Sequence, residues 1–333
     1  MQILLDENKP FYRANLHCHS NLSDGKADVA TLKEEYKKRG YSIIAFTDHE
    51  HVIDNSYLND EDFLAITGCE VAIKEFPKQS TLDNYDMKVA HLNFYALDPH
   101  NDVTPCYSSI ADHFINDRCR DLIKHNGEYN RVYSADGINA MIREANKNGF
   151  IVSYNHPSWS LENACDYMSY EGLFAVEIYN HGCSQKGHND DESVFDDILR
   201  SGKKIYCTAC DDNHNSKGFD SVYSDSFGGW VCINATELSY DAIMTALKNG
   251  DFYASAGPRI DSLVREGNKV TIKCSACRSI HYISRGRRKT VVIAENGDGV
   301  SEASFEIREK DGHFRLKVED FSGKRAYTQA YEV

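Results

Sequence analysis

Short apolar runs alternate with helix-like stretches from about residue 10 to residue 255. In the helix-like stretches apolar residues recur every three or four positions and a glycine follows, as with Val29, Leu32 and Tyr36 before Gly40. This spacing predicts an amphipathic helix, and a closing glycine is typical of its C-terminus. Alternation of such helices with strands is typical of repeated β-α units. The predicted strands are residues 41–46, 63–67, 89–96, 150–154, 173–179, 204–208 and 229–233.

The pattern changes near Gly257. Residues 269–274, 289–294 and 314–318 alternate between apolar and polar side chains, and glycine-containing turn signals separate them. This alternation predicts strands with one buried face. We therefore expect two domains, residues 1–256 and residues 257–333, the second a small antiparallel all-β, sandwich-like domain of five to seven strands.

Length and composition narrow the class of protein. The chain has 333 residues, which suggests about two domains or one barrel with an appendage. Its net charge is −14, and no basic stripe is present, so no extended nucleic-acid surface is expected. No stretch is apolar enough to cross a membrane, and the first residues do not resemble a signal peptide. We expect a cytoplasmic protein.

Eleven cysteines are scattered along the chain, including the pairs Cys207/Cys210 and Cys274/Cys277. A zinc site shared by both pairs is one interpretation, but the 63 residues between them exceed the spacing of a zinc ribbon. Buried, reduced thiols beside strands are the favoured interpretation.

Histidines and carboxylates lie at or near the ends of the predicted strands. His17 and His19 follow a first strand two positions apart, so that both rings lie on one side and can chelate one metal. In a barrel the carboxyl ends of the strands meet on one face, and nitrogen and oxygen ligands suit Zn, Mn or Fe. Each motif alone is weak evidence, but their joint occurrence predicts a metal site. The other candidate ligands are Asp24, His49, Glu70, His91, His156, Asp212 and His214.

The order of these motifs resembles the PHP superfamily, named for polymerase and histidinol phosphatase, over about residues 11–255. The resemblance rests on His17-Cys-His19, Ser23-Asp24-Gly25, Thr47-Asp48-His49, Gly-x-Glu70, His91, Asn-His156-Pro and Asp212-Asn-His214. Residues 250–258 resemble stand-alone PHP hydrolases that carry a C-terminal β domain. This resemblance implies an α/β fold, a distorted (β/α)7 TIM-like barrel, with two or three divalent transition metals (Zn, Mn or Fe) at its C-terminal face.

The resemblance also implies a distribution of the ligands. His17, His19, Glu70 and Asp212 would bind the first metal, Glu70 with His91 and His156 the second, and Asp24, His49 and His214 the third. Asp211 is an alternative to Asp212 as a ligand. Asp48 is a candidate for orienting a histidine ring. Glu177 and His181 end the sixth strand and are expected to face the site, with His181 in a supporting or leaving-group role.

The function expected from this site is hydrolysis. Metals lower the pKa of bound water to about 7, and a positively charged cluster attracts phosphate. The leading interpretation is a phosphoesterase acting on a small anionic, phosphorylated metabolite through a metal-bound hydroxide. The alternatives are a carbamate or carboxylic-ester hydrolase of the same superfamily and a non-catalytic, metal-stabilised scaffold. An insertion at about residues 98–132, with an amphipathic helix at 117–120, could cover the site. The C-terminal domain is a candidate for homo-oligomer contacts.

Overall fold

The computed structural model describes residues 1–78, 85–111, 115–188, 191–295 and 297–333. Part of the predicted insertion (112–114) and Asn296 of a predicted turn lie outside the described residues. The helices are α1 (Val29–Lys37), α2 (Ala135–Lys147), α3 (Ala164–Tyr167), α4 (His181–Gln185), α5 (Glu192–Arg200) and α6 (Tyr240–Asn249). The strands are β1 (Gln2–Leu5), β2 (Phe11–Cys18), β3 (Ile43–Phe46), β4 (Leu64–Lys74), β5 (Val89–Ala96), β6 (Val103–Thr104), β7 (Lys124–His125), β8 (Phe150–Tyr154), β9 (Ala175–Asn180), β10 (Tyr206–Cys210), β11 (Trp230–Asn234), β12 (Phe252–Ser255), β13 (Ile260–Glu266), β14 (Lys269–Cys277), β15 (Ser279–Ser284), β16 (Lys289–Ile293), β17 (Val300–Glu306), β18 (His313–Glu319), β19 (Arg325–Thr328) and β20 (Tyr331–Glu332).

The fold is mixed α/β, with one large sheet and a strand-rich C-terminal region. The large sheet has the order β10-β9-β8-β5-β4-β3-β2-β11-β12-β19-β18-β15-β16, and β20 pairs with β18. Each of the seven strands predicted between residues 41 and 233 overlaps one of these strands. The strands from β2 to β4 and from β8 to β10 are parallel, but β5 is antiparallel to both β4 and β8. An antiparallel pair needs no helical crossover, so β5 departs from a uniform β-α repeat.

Hydrogen bonds connect β2 and β10, the outer members of seven consecutive strands of this sheet, at their carboxyl ends. The Asp212 amide donates to the His17 carbonyl at 2.9 Å, and the His19 amide donates to the Asn213 carbonyl at 3.1 Å. Cys18 and Asn213 form a parallel bridge. These bonds join the end of β2 to the loop after β10, and thereby bring the first and last histidine motifs together.

The helix-like stretches in which apolar residues recur every three or four positions before a glycine form the helices α1, α2, α5 and α6. Three begin at a side-chain cap, for example at Asp28, whose carboxylate accepts from the Thr31 amide. A cap satisfies an amide that has no partner within the helix. Gly250 ends α6 with a φ of 80°, a left-handed conformation that glycine adopts without strain. No helix in the described part of the chain is both long and apolar enough to span a membrane.

The predicted amphipathic helix at 117–120 is wrong in type. Asp117–Leu122 is a 3-10 helix, and Asn116 caps it by accepting from the Arg118 amide. Arg120 pairs with Asp117 at 2.8 Å, three positions away, which suits three residues per turn.

After residue 257 the described chain contains eight strands, β13 to β20, whereas the pattern predicts five to seven. The excess is explained by the two-residue strand β20, which is too short to show alternation. All the strand pairs here are antiparallel. β13, β14 and β17 form a second sheet with β1, while β15, β16, β18 and β19 extend the large sheet through β12.

Arg315 on β18 is fully buried and joins this region to α5. Its guanidinium contacts Glu192 at 2.7 Å and Asp196 at 2.8 Å.

Removing one partner of a buried ion pair leaves the other charge uncompensated. We expect Arg315→Met to lower the free energy of unfolding by about 3 kcal/mol, measured by urea denaturation. Arg308→Met, which changes an exposed arginine paired with Glu306, is the control. Equal midpoints for the two variants would contradict the prediction.

Candidate metal centre

The strand ends converge on one polar centre. His17 lies on β2, and His19 is the first residue after that strand. His49 follows β3, and His156 follows β8. Because β5 runs opposite to β4, its first residues lie at the same edge as the end of β4, where Ala72 pairs with His91. All nine residues predicted as ligands are thereby brought together. Their nitrogen and oxygen atoms form three groups in which every ligand atom lies within 4.8 Å of the others: His17/His19/Glu70/Asp212, Glu70/His91/His156, and His19/Asp24/His49/His214. A fourth such group among the described residues combines two of these histidines with Glu177: His17/His156/Glu177.

The first group contains two histidines and two carboxylates, all buried except for the partly buried Asp212. The Nε2 atoms of His17 and His19 lie 3.2 Å apart, and each is close to Asp212 Oδ1, at 3.2 and 3.1 Å. Glu70 Oε1 lies 3.2 Å from His17 Nε2. The two imidazole nitrogens and two carboxylates thus face one small volume, which is the arrangement that a four-coordinate cation requires.

Glu70 also belongs to the second group. Its Oε1 atom lies 3.0 Å from His91 Nδ1 and 3.2 Å from His156 Nε2. Asn155 donates to the same oxygen at 2.8 Å. Glu70 therefore links the two groups.

The third group surrounds Asp24. Its Oδ1 atom lies 3.4 Å from His214 Nε2 and 3.7 Å from His49 Nε2. His19 lies in this group as well as in the first, whereas the resemblance assigns it to the first alone. His49 Nδ1 lies 3.1 Å from Glu70 Oε2, so the third group is continuous with the others.

The chemistry of the donor set fits divalent metals. Asp24 Oδ1 and His19 Nδ1 are buried and make no hydrogen bond to the described residues. Buried polar atoms normally have partners, so Asp24 Oδ1 is suited to a bound cation. Six imidazoles and three carboxylates match the ligand preferences of Zn, Mn and Fe.

The electrostatic environment differs between the candidate ligands. Neighbouring carboxylates, Asp212 at His17, Glu70 at His49 and His156, and Asp24 at His214, outweigh burial and raise the pKa of these four rings, so a bound cation would replace a proton there.

Glu70 and His19 show the opposite behaviour. Burial opposes ionisation of Glu70, but the His91 and His17 rings hold its pKa well below the usual value. Burial and the neighbouring His49 lower the pKa of His19 to about 4. At neutral pH Glu70 is therefore an anion and His19 a neutral ring, as coordination requires.

Glu177 on β9 contacts two of the candidate ligands, His17 and His156. Its Oε1 atom lies 2.7 Å from His17 Nδ1, and its Oε2 atom accepts from the His156 amide at 3.0 Å. Asn180 donates to Oε2 at 2.9 Å. A carboxylate on Nδ1 fixes the ring orientation and leaves Nε2 directed at the metal. Its strand-end position predicted that Glu177 faces the site, but not this contact.

Two acidic alternatives have structural roles instead. Asp48 accepts hydrogen bonds from the amides and hydroxyls of Ser20 and Ser23, so it orders the loop that carries Asp24 rather than a histidine ring. Asp211 accepts from the Phe227, Gly228 and Gly229 amides and from the Tyr36 hydroxyl. With its acceptors used in this way, Asp211 is absent from the described ligand groups, which contain Asp212.

His181 lies at the edge of the centre. Its Nδ1 atom lies 2.9 Å from the Tyr179 hydroxyl, and its ring packs on Gly228, where a Cβ atom would lie 2.1 Å from it. His181 is outside the ligand groups found among the described residues. Its supporting or leaving-group role remains a prediction.

The backbone is strained at two site residues. His156 has a φ of 26° and Asp212 a φ of 53°, values that residues other than glycine rarely adopt. Such strain persists only where surrounding contacts impose it, and it is concentrated at functional sites. At His156 the contact is the hydrogen bond that its backbone N–H donates to the Glu177 carboxylate.

Trp159 is a site residue that the sequence did not reveal. Its ring centroid lies 5.0 Å from those of His91 and His156, and it packs against the small apolar cluster formed by Ala72, Met87 and Val89. In the sequence Trp159 is marked only by its position three residues after His156, and that position does not indicate a role because any residue type can occupy it.

Changing Glu177 to glutamine is expected to lower the affinity for Mn²⁺ by about 10- to 100-fold, the usual effect of losing a carboxylate that orients a metal-bound histidine. Glutamine keeps the shape but can donate to His17 Nδ1 and disfavour the correct tautomer. Bound metal is measured by elemental analysis after titration with Mn²⁺. Glu171→Gln, at an exposed position, is the control, and wild-type metal affinity in Glu177→Gln would contradict the prediction.

The comparisons with known proteins agree with this site. The family model of the PHP domain matches residues 15–190, more than half of the chain. The chain belongs to the PHP domain family. The matched part of this PHP protein contains seven of the nine candidate ligands, and Asp212 and His214 lie beyond it.

Two solved structures are similar to this PHP protein at low identity. One is a two-domain protein of Bacteroides vulgatus containing a predicted PHP-like metal-dependent phosphoesterase, with 15% identity, a TM-score of 0.45, and coverage of 99% of this chain and 96% of that one. The other, named as a metal-dependent phosphoesterase of Bifidobacterium adolescentis, has 16% identity, a TM-score of 0.37, and coverage of 72% and 97%. No curated protein matches the sequence.

Proposed function

We propose that this PHP protein is a metal-dependent hydrolase, specifically a phosphoesterase acting on a small phosphorylated compound. The observation that carries the proposal is the set of three ligand groups linked by Glu70 and His19. Adjacent metal sites suit in-line displacement at phosphorus, because both the attacking and the leaving oxygen must be stabilised.

In this proposal two or three divalent ions occupy the groups. The first is held by His17, His19, Glu70 and Asp212, the second by Glu70, His91 and His156, and the third by Asp24, His49 and His214. Bound divalent metals would lower the pKa of coordinated water and polarise a phosphoryl oxygen. Glu177 keeps His17 oriented, and Asn155 keeps Glu70 in place.

Charge supports a phosphorylated substrate. Three divalent ions would carry six positive charges, against one negative charge each on Asp24, Glu70, Asp212 and Glu177. The centre would stay cationic inside a chain with a net charge of −14. Such a local field favours an anionic ester and the charge that develops in its transition state.

We further propose that β2, β3, β4, β5, β8, β9 and β10 form a distorted (β/α)7 barrel. The hydrogen bonds between the ends of β2 and β10 support closure. In a barrel, the carboxyl ends of the strands are the usual place for an active site.

The substrate test compares p-nitrophenyl phosphate with p-nitrophenyl acetate in Mn²⁺-loaded protein, after subtraction of metal-only rates. We expect kcat/KM to be at least about 100-fold higher for the phosphate, since about 3 kcal/mol of differential stabilisation corresponds to that factor. Protein treated with a chelator is the control and should lose activity. A preference for acetate would reject the phosphoesterase and favour the carbamate or carboxylic-ester alternative. Hydrolysis of neither would favour a scaffold.

A further inference from the structure

The two Cys-x-x-Cys pairs have the same spacing in the sequence but differ in geometry. Cys207 and Cys210 lie on β10, and every residue of that strand has a partner on β9. Side chains alternate across a regular strand, so residues three positions apart face opposite sides. Cys207 and Cys210 accordingly belong to two different apolar clusters of the core. Their thiols are therefore directed away from each other.

Cys274 and Cys277 lie on β14, which is irregular between them. From Lys273 to Cys277 the strand advances four positions, but the partners of these two residues on β17 are only two positions apart. The extra residues form a bulge, which shifts the alternation of side chains between the two faces. As a result both cysteines are buried in one apolar cluster. Their sulfur atoms lie 3.9 Å apart.

The close approach of these two thiols points to a disulfide rather than to a metal. The candidate metal-ligand groups among the described residues contain no cysteine, so a zinc site shared by both pairs is not supported. The sulfurs of a disulfide lie about 2.05 Å apart. Cys274 and Cys277 therefore need to approach by about 2 Å to form one.

The contact between the thiols also affects their reactivity. The hydrogen bond with Cys274 lowers the pKa of the Cys277 thiol, although burial opposes this. The thiolate is the form of cysteine that reacts with oxidants. Both side chains are buried, with Cys274 4% exposed and Cys277 0%. A small oxidant such as a peroxide suits this position, whereas a bulky disulfide such as oxidised glutathione does not.

We propose that Cys274 and Cys277 form a reversible oxidation site, at which hydrogen peroxide joins the two sulfurs in a disulfide. The Cys277 thiolate attacks one peroxide oxygen, the O–O bond breaks, and hydroxide leaves, so that Cys277 becomes a sulfenic acid. The Cys274 thiol then attacks that sulfur, the S–O bond breaks, and the hydroxyl leaves with the thiol proton as water. The hydroxide takes up the proton first released by Cys277. Two thiols and one peroxide thus give one disulfide and two waters.

A dithiol reverses the reaction by exchange and is itself oxidised to a disulfide. Because the bond closes a loop of only four residues, it constrains the bulge of β14 and adds little to the stability of the fold. The inference concerns the C-terminal region and does not depend on the proposed hydrolase activity.

Differential alkylation tests the site in the full-length chain. Cys165 is exposed and is replaced by serine, which prevents disulfides between molecules. The folded protein is treated with hydrogen peroxide, catalase removes the excess, and the chain is then unfolded in N-ethylmaleimide. Trypsin releases each pair on its own peptide, residues 274–278 and residues 205–217. Mass spectrometry measures the alkylation of both peptides.

The pair Cys207 and Cys210 is the matched control, since it has the same spacing and is also buried. We expect Cys274 and Cys277 to lose alkylation at a peroxide concentration at least about tenfold lower than the control pair. Their peptide should be lighter than the reduced peptide by two hydrogens, and dithiothreitol should restore both thiols. Equal alkylation of the two pairs at every peroxide concentration would overturn the proposal, as would oxidation that dithiothreitol does not reverse.

The order of attack is tested with Cys274→Ser, which removes the thiol that closes the disulfide. Dimedone, which traps sulfenic acids, should label Cys277 at least about fivefold more in this variant than in the chain with both cysteines. Circular dichroism establishes that the variant is folded. A folded variant without this label would overturn the assignment of Cys277 as the attacking thiol. The alkylation experiment changes neither cysteine and therefore decides the oxidation site even if Cys274→Ser does not fold.

Discussion

Glutamine in place of Glu70 is expected to lower kcat/KM for p-nitrophenyl phosphate by at least about a thousandfold. The Glu70 carboxylate lies within 3.4 Å of nitrogen atoms of His17, His19, His49, His91 and His156. Neutralising it removes the oxygen pair that links two ligand groups, and metal-based stabilisation of several kcal/mol is lost with it. About 4 kcal/mol corresponds to a thousandfold.

The same variant should bind fewer metal ions per chain by elemental analysis. Glu61→Gln, at an exposed position, is the matched control and should keep both activity and metal. Circular dichroism establishes that Glu70→Gln is folded. A folded variant with full metal content and wild-type kcat/KM would refute the linking role of Glu70.

Strand ends and helices were predictable because both depend on local periodicity. The face containing Val29, Leu32 and Tyr36 is buried as its spacing predicts. The direction of β5 was not predictable, since its apolar run is compatible with either direction of pairing. That direction matters for the site, because it places His91 opposite Ala72 rather than at the far edge of the sheet.

The candidate site was predictable as a set but not in its connections. The order of motifs identifies the nine residues, and the structure places them together. The sharing of His19 between two groups depends on where the loop carrying Asp24 lies. Four hydrogen bonds to Asp48 fix that loop, and they link positions about 25 residues apart. Such contacts leave no periodic signal in the sequence.

Glu177 and Asp211 also show that the sequence alone does not assign the role of a carboxylate, since one contacts a candidate ligand and the other has a structural role. Both are carboxylates that the sequence pattern places near the end of a predicted strand, so residue type and position do not separate them. In the structure Glu177 lies within β9, and Asp211 directly follows β10. Glu177 contacts His17, while Asp211 is occupied by three amides of the 227–229 turn. The difference arises from the return of the chain after residue 215.

Alanine in place of Asp24 or His214 is expected to leave a folded protein that binds one metal ion fewer and turns over p-nitrophenyl phosphate at least about 100-fold more slowly. These two residues belong to the third ligand group alone, whereas His19 is shared with the first and His49 contacts Glu70. Loss of Asp24 removes the carboxylate of that group, and removing one charge-stabilising contact from a transition state typically costs about 10²–10³ in rate.

The third group can be separated from the other two by comparing metal content with turnover. His49→Ala should lose more bound metal and more turnover than Asp24→Ala, because the His49 ring also lies 3.1 Å from Glu70. Asp62→Ala, on an exposed carboxylate that pairs with Lys37, should retain full metal content and turnover. If Asp24→Ala loses one ion and keeps normal turnover, the third group is dispensable and catalysis resides in the two groups that share Glu70. If it retains every ion, Asp24 is not a ligand, and the assignment of the third group is wrong.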